Sequence, residues 1–227
     1  MKAMKIIANI ISVIMLLGVV ASCGVDNFDE PNATLYGKVV YKNEALNIRG
    51  TGEAVQLQLF QDGYDKREAV NVHIGQDGTF SAKLFNGEYK LVSKDGNGPW
   101  VNSRDTVIVN VKGSTEINFE VTPYFIISGE NITVSGSTMN AAFSINQIVA
   151  EAKINKVMLI LSKTQFADNV NNVFFHEVAD VNTGLVNLSA DISGNPEVAN
   201  AKSLFARVGV LSDKADQAIY SQVVRIR

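Results

Sequence analysis

Cys23 is the chain's one thiol, and its position decides what it can do. It follows Val20-Ala21-Ser22, and upstream lie Lys2, Lys5 and an apolar run over 6–20 broken mainly by Asn9 and Ser12. A basic start, an apolar stretch and small residues before a cleavage point are the three parts of a secretory signal. Val-Ala-Ser-Cys reads as a lipobox, in which the cysteine takes a lipid through a thioether and becomes the first residue of the mature chain. The apolar run is too short to span a bilayer comfortably, and no later run reaches the roughly 18 apolar residues a spanning helix needs. The expectation is a signal peptide over 1–22, lipidation at Cys23, and a membrane partnership through that anchor alone.

The remaining side chains offer less. His176-Glu177-Val178-Ala179-Asp180 approaches the zinc motif His-Glu-x-x-His, but Asp180 stands in the place of the second histidine. Val173-Phe174-Phe175 leads into it as a strand, which separates positions that a helix would bring onto one face. The other histidine, His73, also sits in a strand pattern, and two isolated histidines make no metal cluster. Gly-x-Ser-x-Gly and the phosphate-cradling Gly-x-x-x-x-Gly-Lys run are both missing. No catalytic residue, metal or cofactor is assigned and the chain is not expected to be an enzyme, although sequence leaves open a glycosidase-type carboxylate pair among 23 acidic residues.

Two aromatics in turn-rich loops are candidate glycan contacts: Trp100 after Gly98-Pro99, and Tyr64 in Asp62-Gly63-Tyr64. A flat aromatic face can stack on a sugar ring without deep burial. The other reading of each is a ring folded over the open end of its sandwich, burying a large apolar area. Asp105-Thr106-Val107 resembles the Asp-Thr-aliphatic pattern of O-glycosylation in Bacteroidetes, while Thr106 equally opens a strand.

The elements that must position these residues are strands. Period-2 runs separated by Gly, Asn and Asp predict an antiparallel all-β domain over 34–122, with strands near 34–41, 55–60, 70–74, 79–85, 88–92, 106–111 and 116–121. Asn86-Gly87 suits a type I′ turn and predicts a hairpin that sets Leu84 opposite Tyr89, in a meander with the strand before it. Thr122-Pro123 stops the ladder and marks a domain boundary with few contacts across it. A second strand-rich domain over 123–227 has the length and turn spacing of an immunoglobulin- or fibronectin-like sandwich. Its strands fall near 124–128, 132–135, 139–145, 154–162, 173–178, 183–188, 204–211 and 219–226, with a helical turn at 147–151. Residues 23–33, with Asp26, Asp29, Glu30 and Pro31, read as a lipidated tether. The fold class is all-β, two β-sandwich domains in tandem after a cleaved lipoprotein signal.

The chain has 20 basic and 23 acidic residues; loss of Lys2 and Lys5 with the signal leaves 18 against 23, a net charge of −5. That balance argues against a nucleic-acid partner. With Cys23 lipidated no internal disulfide can form, so burial must hold the fold.

Several stretches in order carry a family likeness: Pro31 to Gly37, Asp77-Gly78-Thr79-Phe80, Leu84 to Tyr89, Gly98-Pro99-Trp100, Phe119 to Tyr124, Ala206-Arg207-Val208-Gly209-Val210 and Tyr220-Ser221-Gln222. Together they resemble a family of two-domain Bacteroidetes lipoproteins of unknown function, found in polysaccharide-utilisation loci beside Sus-like transporters and their lipoprotein partners. The first domain is similar to the transthyretin-like or carboxypeptidase-regulatory sandwich, on Gly37-Lys38-Val39, Asp77 to Phe80 and Gly87-Glu88-Tyr89. The resemblance implies location and company, not chemistry: an outer-membrane lipoprotein facing outward that serves as an accessory glycan-binding component of a Sus-like uptake system, with a structural or protein-docking module as the rival reading.

Overall fold

A computed structural model describes residues 29–63, 66–103 and 105–227. The signal segment 1–22, the lipidation site Cys23 and the candidate Tyr64 lie outside the described residues.

Alternating side chains and Gly- or Asn-bearing turns make the first half all strand: β1 (Ala33–Tyr41), β2 (Glu44–Ala45), β3 (Gln56–Phe60), β4 (Val70–His73), β5 (Thr79–Leu84), β6 (Gly87–Ser93), β7 (Val107–Val111), β8 (Ser114–Glu116) and β9 (Phe119–Glu120). One sheet is built on β1, which pairs antiparallel with β2 and β5 and parallel with β8 and β9. The other runs β4-β3-β6-β7 and is antiparallel throughout. Leu57, Leu59, Tyr89 and Leu91 from one sheet and Leu35, Val39, Phe80 and Leu84 from the other are buried in one core. Gln56 and Gln58 take the wetter face of β3, as period 2 requires.

The Asn86-Gly87 hairpin and its meander do not form. β5 pairs with β1 and β6 with β3 and β7, so the short connection carries the chain from one sheet to the other. Neither Asn86 nor Gly87 has positive φ. The residues expected to share a face do meet inside, across the sandwich instead of along one sheet.

The expected strand at 116–121 is also broken, into β8 and β9. Between them the Ile117 carbonyl crosses over Gly37, where a Cβ would lie 1.7 Å from the Ile117 oxygen. The Ile117 N–H donates to the Tyr36 carbonyl, and Asn118 Oδ1 accepts from the Lys38 N–H at 3.1 Å. Gly37 is therefore fixed by close approach of two backbones, and no side chain fits there.

The second half comprises β10 (Phe125–Ser135), β11 (Thr138–Gln147), β12 (Ile154–Ser162), β13 (Phe174–Val178), β14 (Gly184–Asp191), the short helix α1 (Pro196–Ala199), β15 (Phe205–Ser212), β16 (Ile219–Tyr220) and β17 (Val224–Arg225). One sheet is β10-β11-β14; the other is β13-β12-β15-β16, with β17 also on β15. Two predicted strands fuse into β10 across a bulge after Ser128, where Gly129 has positive φ. Residues 148–151 are a bend and turn, not the helical turn expected. The helix α1 was not anticipated; Asn195 caps it through the Val198 N–H, with Pro196 at the first position.

Val157 to Leu161 is buried without alternation. One face, Val157, Leu159 and Leu161, joins the sandwich core, and the other, Met158 and Ile160, packs with Ala167, Ala218 and Tyr220 in a second cluster. A strand buried on both sides loses its period-2 signal, and here the second face is covered by Ala167, Ala218 and Tyr220. Contacts gather Asn32–Arg227 into one compact unit. The boundary at Thr122-Pro123 is accordingly not a loose linker. Pro123 and Tyr124 are buried, the Val101 N–H donates to the Thr122 carbonyl at 2.8 Å, and the Tyr124 N–H donates to the Pro99 carbonyl at 3.1 Å.

Candidate functional site

The loop between β6 and β7, which sequence singled out, does two separate things. Its apex holds Trp100, and the ring is not offered to solvent: Trp100 is 4% exposed and pairs with Pro123 in an isolated bridge. Gly98 lies flat against the indole, where a Cβ would come within 2.3 Å of the ring. Tyr124 and the Lys214-Ala215-Asp216 turn of the second sandwich border the same spot. Trp100 as a stacking platform for sugar is thus corrected: the ring is a wedge between the two halves, because its large apolar area has a dry seam to enter.

The later part of that loop borders a cleft of about 550 Å³. Ser93 at the end of β6, Val101, Ser103, Asp105 and Val107 form one wall; Asn118, Phe119, Glu120, Val121 and Thr122 form the other. Val101, Val107, Phe119 and Val121 make an apolar floor, and six hydroxyl, amide and carboxylate side chains border it. Several are already oriented. The Ser103 hydroxyl donates to Asp105 Oδ2, Ser93 Oγ donates to the Ser103 carbonyl at 3.0 Å, and Glu120 Oε1 accepts from the Lys42 N–H at 2.8 Å. The volume and the mix of apolar floor with a few placed polar groups are those of a small-molecule site. Thr106, in the O-glycosylation pattern, is exposed just before β7.

Neither His73 nor His176 lines this cleft. His73 on edge strand β4 lies 3.3 Å from Glu53 and 3.2 Å from the Gln56 amide. His176 is in β13, whose neighbour Glu177 is ion-paired with Lys156.

The residue that sequence reasoning passed over is Arg207, on β15 and 1% exposed. It lies on the face of β15 that turns toward the first sandwich. Its Nε donates to the Ser221 carbonyl at 2.8 Å, Nη1 to Ala167 at 3.3 Å and Nη2 to Gln76, in the first sandwich, at 3.1 Å. The guanidinium stands 4.6 Å over the Tyr220 ring. Gly209 leaves room for that ring, since a Cβ there would be 2.9 Å from Tyr220 Cε1. Two further bonds cross the same seam: Tyr220 N–H to the Asn47 carbonyl at 2.9 Å, and Thr51 Oγ1 to the buried Asp168 carboxylate at 2.5 Å.

Burial lowers the Arg207 guanidinium to about 10, with Tyr220 and Asp168 opposing the shift. Burial, helped by the Asp168 charge, pushes the Tyr220 phenol up to about 12. The two act oppositely on stability in alkali. Above pH 10 an unfolded phenol ionises before the native one, so the Tyr220 contribution is lost as pH rises toward 12. Native Arg207 sheds its proton before the unfolded chain does, so its desolvation cost is relieved in the same window. Both changes lie above the neutral range, where the seam keeps one charge state.

Two family models match, and between them they span most of the chain: the DUF3823 protein of unknown function N-terminal domain over 33–122 and the DUF3823 C-terminal domain of unknown function over 125–225. A DUF3823 family protein of Parabacteroides merdae ATCC 43184 is 63% identical, with TM-score 0.85 over 88% of this chain and 100% of that one. A second, from Bacteroides ovatus ATCC 8483, is 36% identical, with TM-score 0.76 over 86% and 98%. A Bacteroides uniformis ATCC 8492 protein described as a "putative carbohydrate binding protein" shares the fold at 20% identity, with TM-score 0.73 over 87% and 99%. No curated protein matches. An all-β chain of two sandwiches, matched by both family models and by these crystal structures over nearly its whole described length, belongs to the DUF3823 family.

Proposed function

We propose that the protein is a non-catalytic glycan-binding lipoprotein, anchored through Cys23 to the outer membrane, facing outward, and serving a Sus-like transporter and its lipoprotein partners as an accessory. The cleft of the first sandwich carries the binding half of this reading. Its apolar floor suits the C–H face of a sugar ring, while Asp105, Asn118 and Glu120 offer acceptors and Ser93, Ser103 and Thr122 offer hydroxyls to the ring's own hydroxyl groups. Two carboxylates at the mouth and a net charge of −5 on the mature chain disfavour an anionic glycan. The description of the Bacteroides uniformis relative as carbohydrate binding points the same way.

The site is tested by titrating the full chain, in detergent, with neutral mono- and disaccharides. Thr122→Trp places a ring at an exposed rim position and is expected to weaken binding about tenfold or more while the melting temperature holds. Unchanged affinity would take the cleft out of the reading, and a wild type that binds no neutral glycan of any length would leave the docking module in its place. The anchor is tested separately by fatty-acid labelling in cells. Cys23→Ala is expected to abolish incorporation, and a mutant that still labels fully has some other attachment.

A further inference from the structure

The outward face of the β10-β11-β14 sheet carries uncharged hydrogen-bonding side chains in register. Asn131 sits beside Ala142 and Ala142 beside Asn187; one outward row further along, Thr133, Asn140 and Ser189 are neighbours. Alternation sends Ile132 and Ala141, between these rows, into the core, where both are buried. Asn131, Thr133, Asn140, Asn187 and Ser189 are exposed and surround a trough of about 310 Å³. The trough exists because Ala142, on the central strand, ends at a methyl group between two asparagines.

Among the described residues, none of those five side chains hydrogen-bonds to another protein group. Some outward residues of other strands are bonded to a cross-strand neighbour, as in Gln58 with Asn71 and Lys156 with Glu177. No charged residue lines the trough. The nearest carboxylates on these strands are already held: Glu130 accepts from the Gln222 N–H and Asp191 from the Ser193 N–H.

A ligand that satisfies this face must offer both donors and acceptors along its length and bring no charge. An anionic chain would find no cation, and an apolar protein surface would bury five polar groups without partners. The vicinal hydroxyls of a neutral sugar chain meet both conditions, and three strands give a platform about 10 Å across. We infer that this face is a second glycan site, distinct from the cleft, that takes a linear uncharged polysaccharide lying across the strands. It rests on the reading above only for the class of ligand.

The test uses the full chain with malto-, cello- and manno-oligosaccharides of increasing length, and polygalacturonate as the anionic control. For the series that binds, affinity is expected to rise from the disaccharide to longer members, and Asn131→Ala/Asn187→Ala is expected to lower the affinity for the longest about tenfold while leaving the disaccharide unchanged. Ala142→Lys, which fills the trough from a different strand, is expected to give the same loss if the double variant folds poorly. Long-chain affinity equal to wild type in both variants would overturn this site and leave the cleft standing, as would loss of every length in Thr122→Trp alone. Preference for polygalacturonate through the same asparagines would overturn it, and a wild type that binds no neutral oligosaccharide would overturn this site and the glycan reading together.

Discussion

Arg207→Ala is expected to destabilise the protein by about 4 kcal/mol, since removing one member of a buried charge cluster strands the groups it satisfied. For a chain of this size that is a fall in melting temperature on the order of 10 °C. Three carbonyls, of Gln76, Ala167 and Ser221, lose their donor at once. Asp168, 1% exposed, loses a cation that interacts with it, though Thr51 and the Val170 and Asn171 N–H groups still donate to it. Arg207→Lys is expected to recover part of the loss, because it keeps the charge but cannot fork to three carbonyls. The Gln76 bond joins the two sandwiches, so the variant should also unfold in two steps where the wild type unfolds in one. A single transition at the parental temperature would show that the seam is held by apolar packing and that Arg207 is dispensable to it.

How far the sequence reaches is clearest at this seam. Most strands were legible because each is wet on one face, as in β3, where Leu57 and Leu59 alternate with Gln56 and Gln58. What failed was pairing. Asn86-Gly87 is a strong local signal for a hairpin, yet the partners of β5 and β6 are distant in sequence, and nothing near the turn records them. The break in the last strand has a similar origin: the Ser221 carbonyl takes the Arg207 Nε, and its hydroxyl accepts from the Val208 N–H, so the run 219–226 parts into β16 and β17. One clue to the seam was present. A lone arginine in the apolar run 204–211, opposite the unbroken run at 157–161, marks strands covered on both faces, with a polar partner waiting beyond the second. The cleft left no such mark, because its walls come from residues 93, 101–107 and 118–122, and no single stretch of them forms a motif.

Trp100→Ala is expected to cost about 4 kcal/mol, the range for deleting a buried tryptophan ring. The ring is shielded by Gly98, pairs through its backbone with Pro123, and borders Tyr124 and the 214–216 turn, so the void would open in the seam and not in either core. Collapse around it is limited on one side by Gly98, which has no side chain to move, and on another by Pro123. Trp100→Phe should therefore recover roughly half of the loss by refilling part of the space. Glycan affinity measured on the folded fraction should be unchanged in both variants, because the indole faces the seam while the cleft uses Val101, Ser103 and Asp105 further along the same loop. Melting temperature and oligosaccharide affinity on one protein separate the two roles. A variant that melts with the wild type but no longer binds sugar would return Trp100 to the surface as a sugar contact, against its burial here.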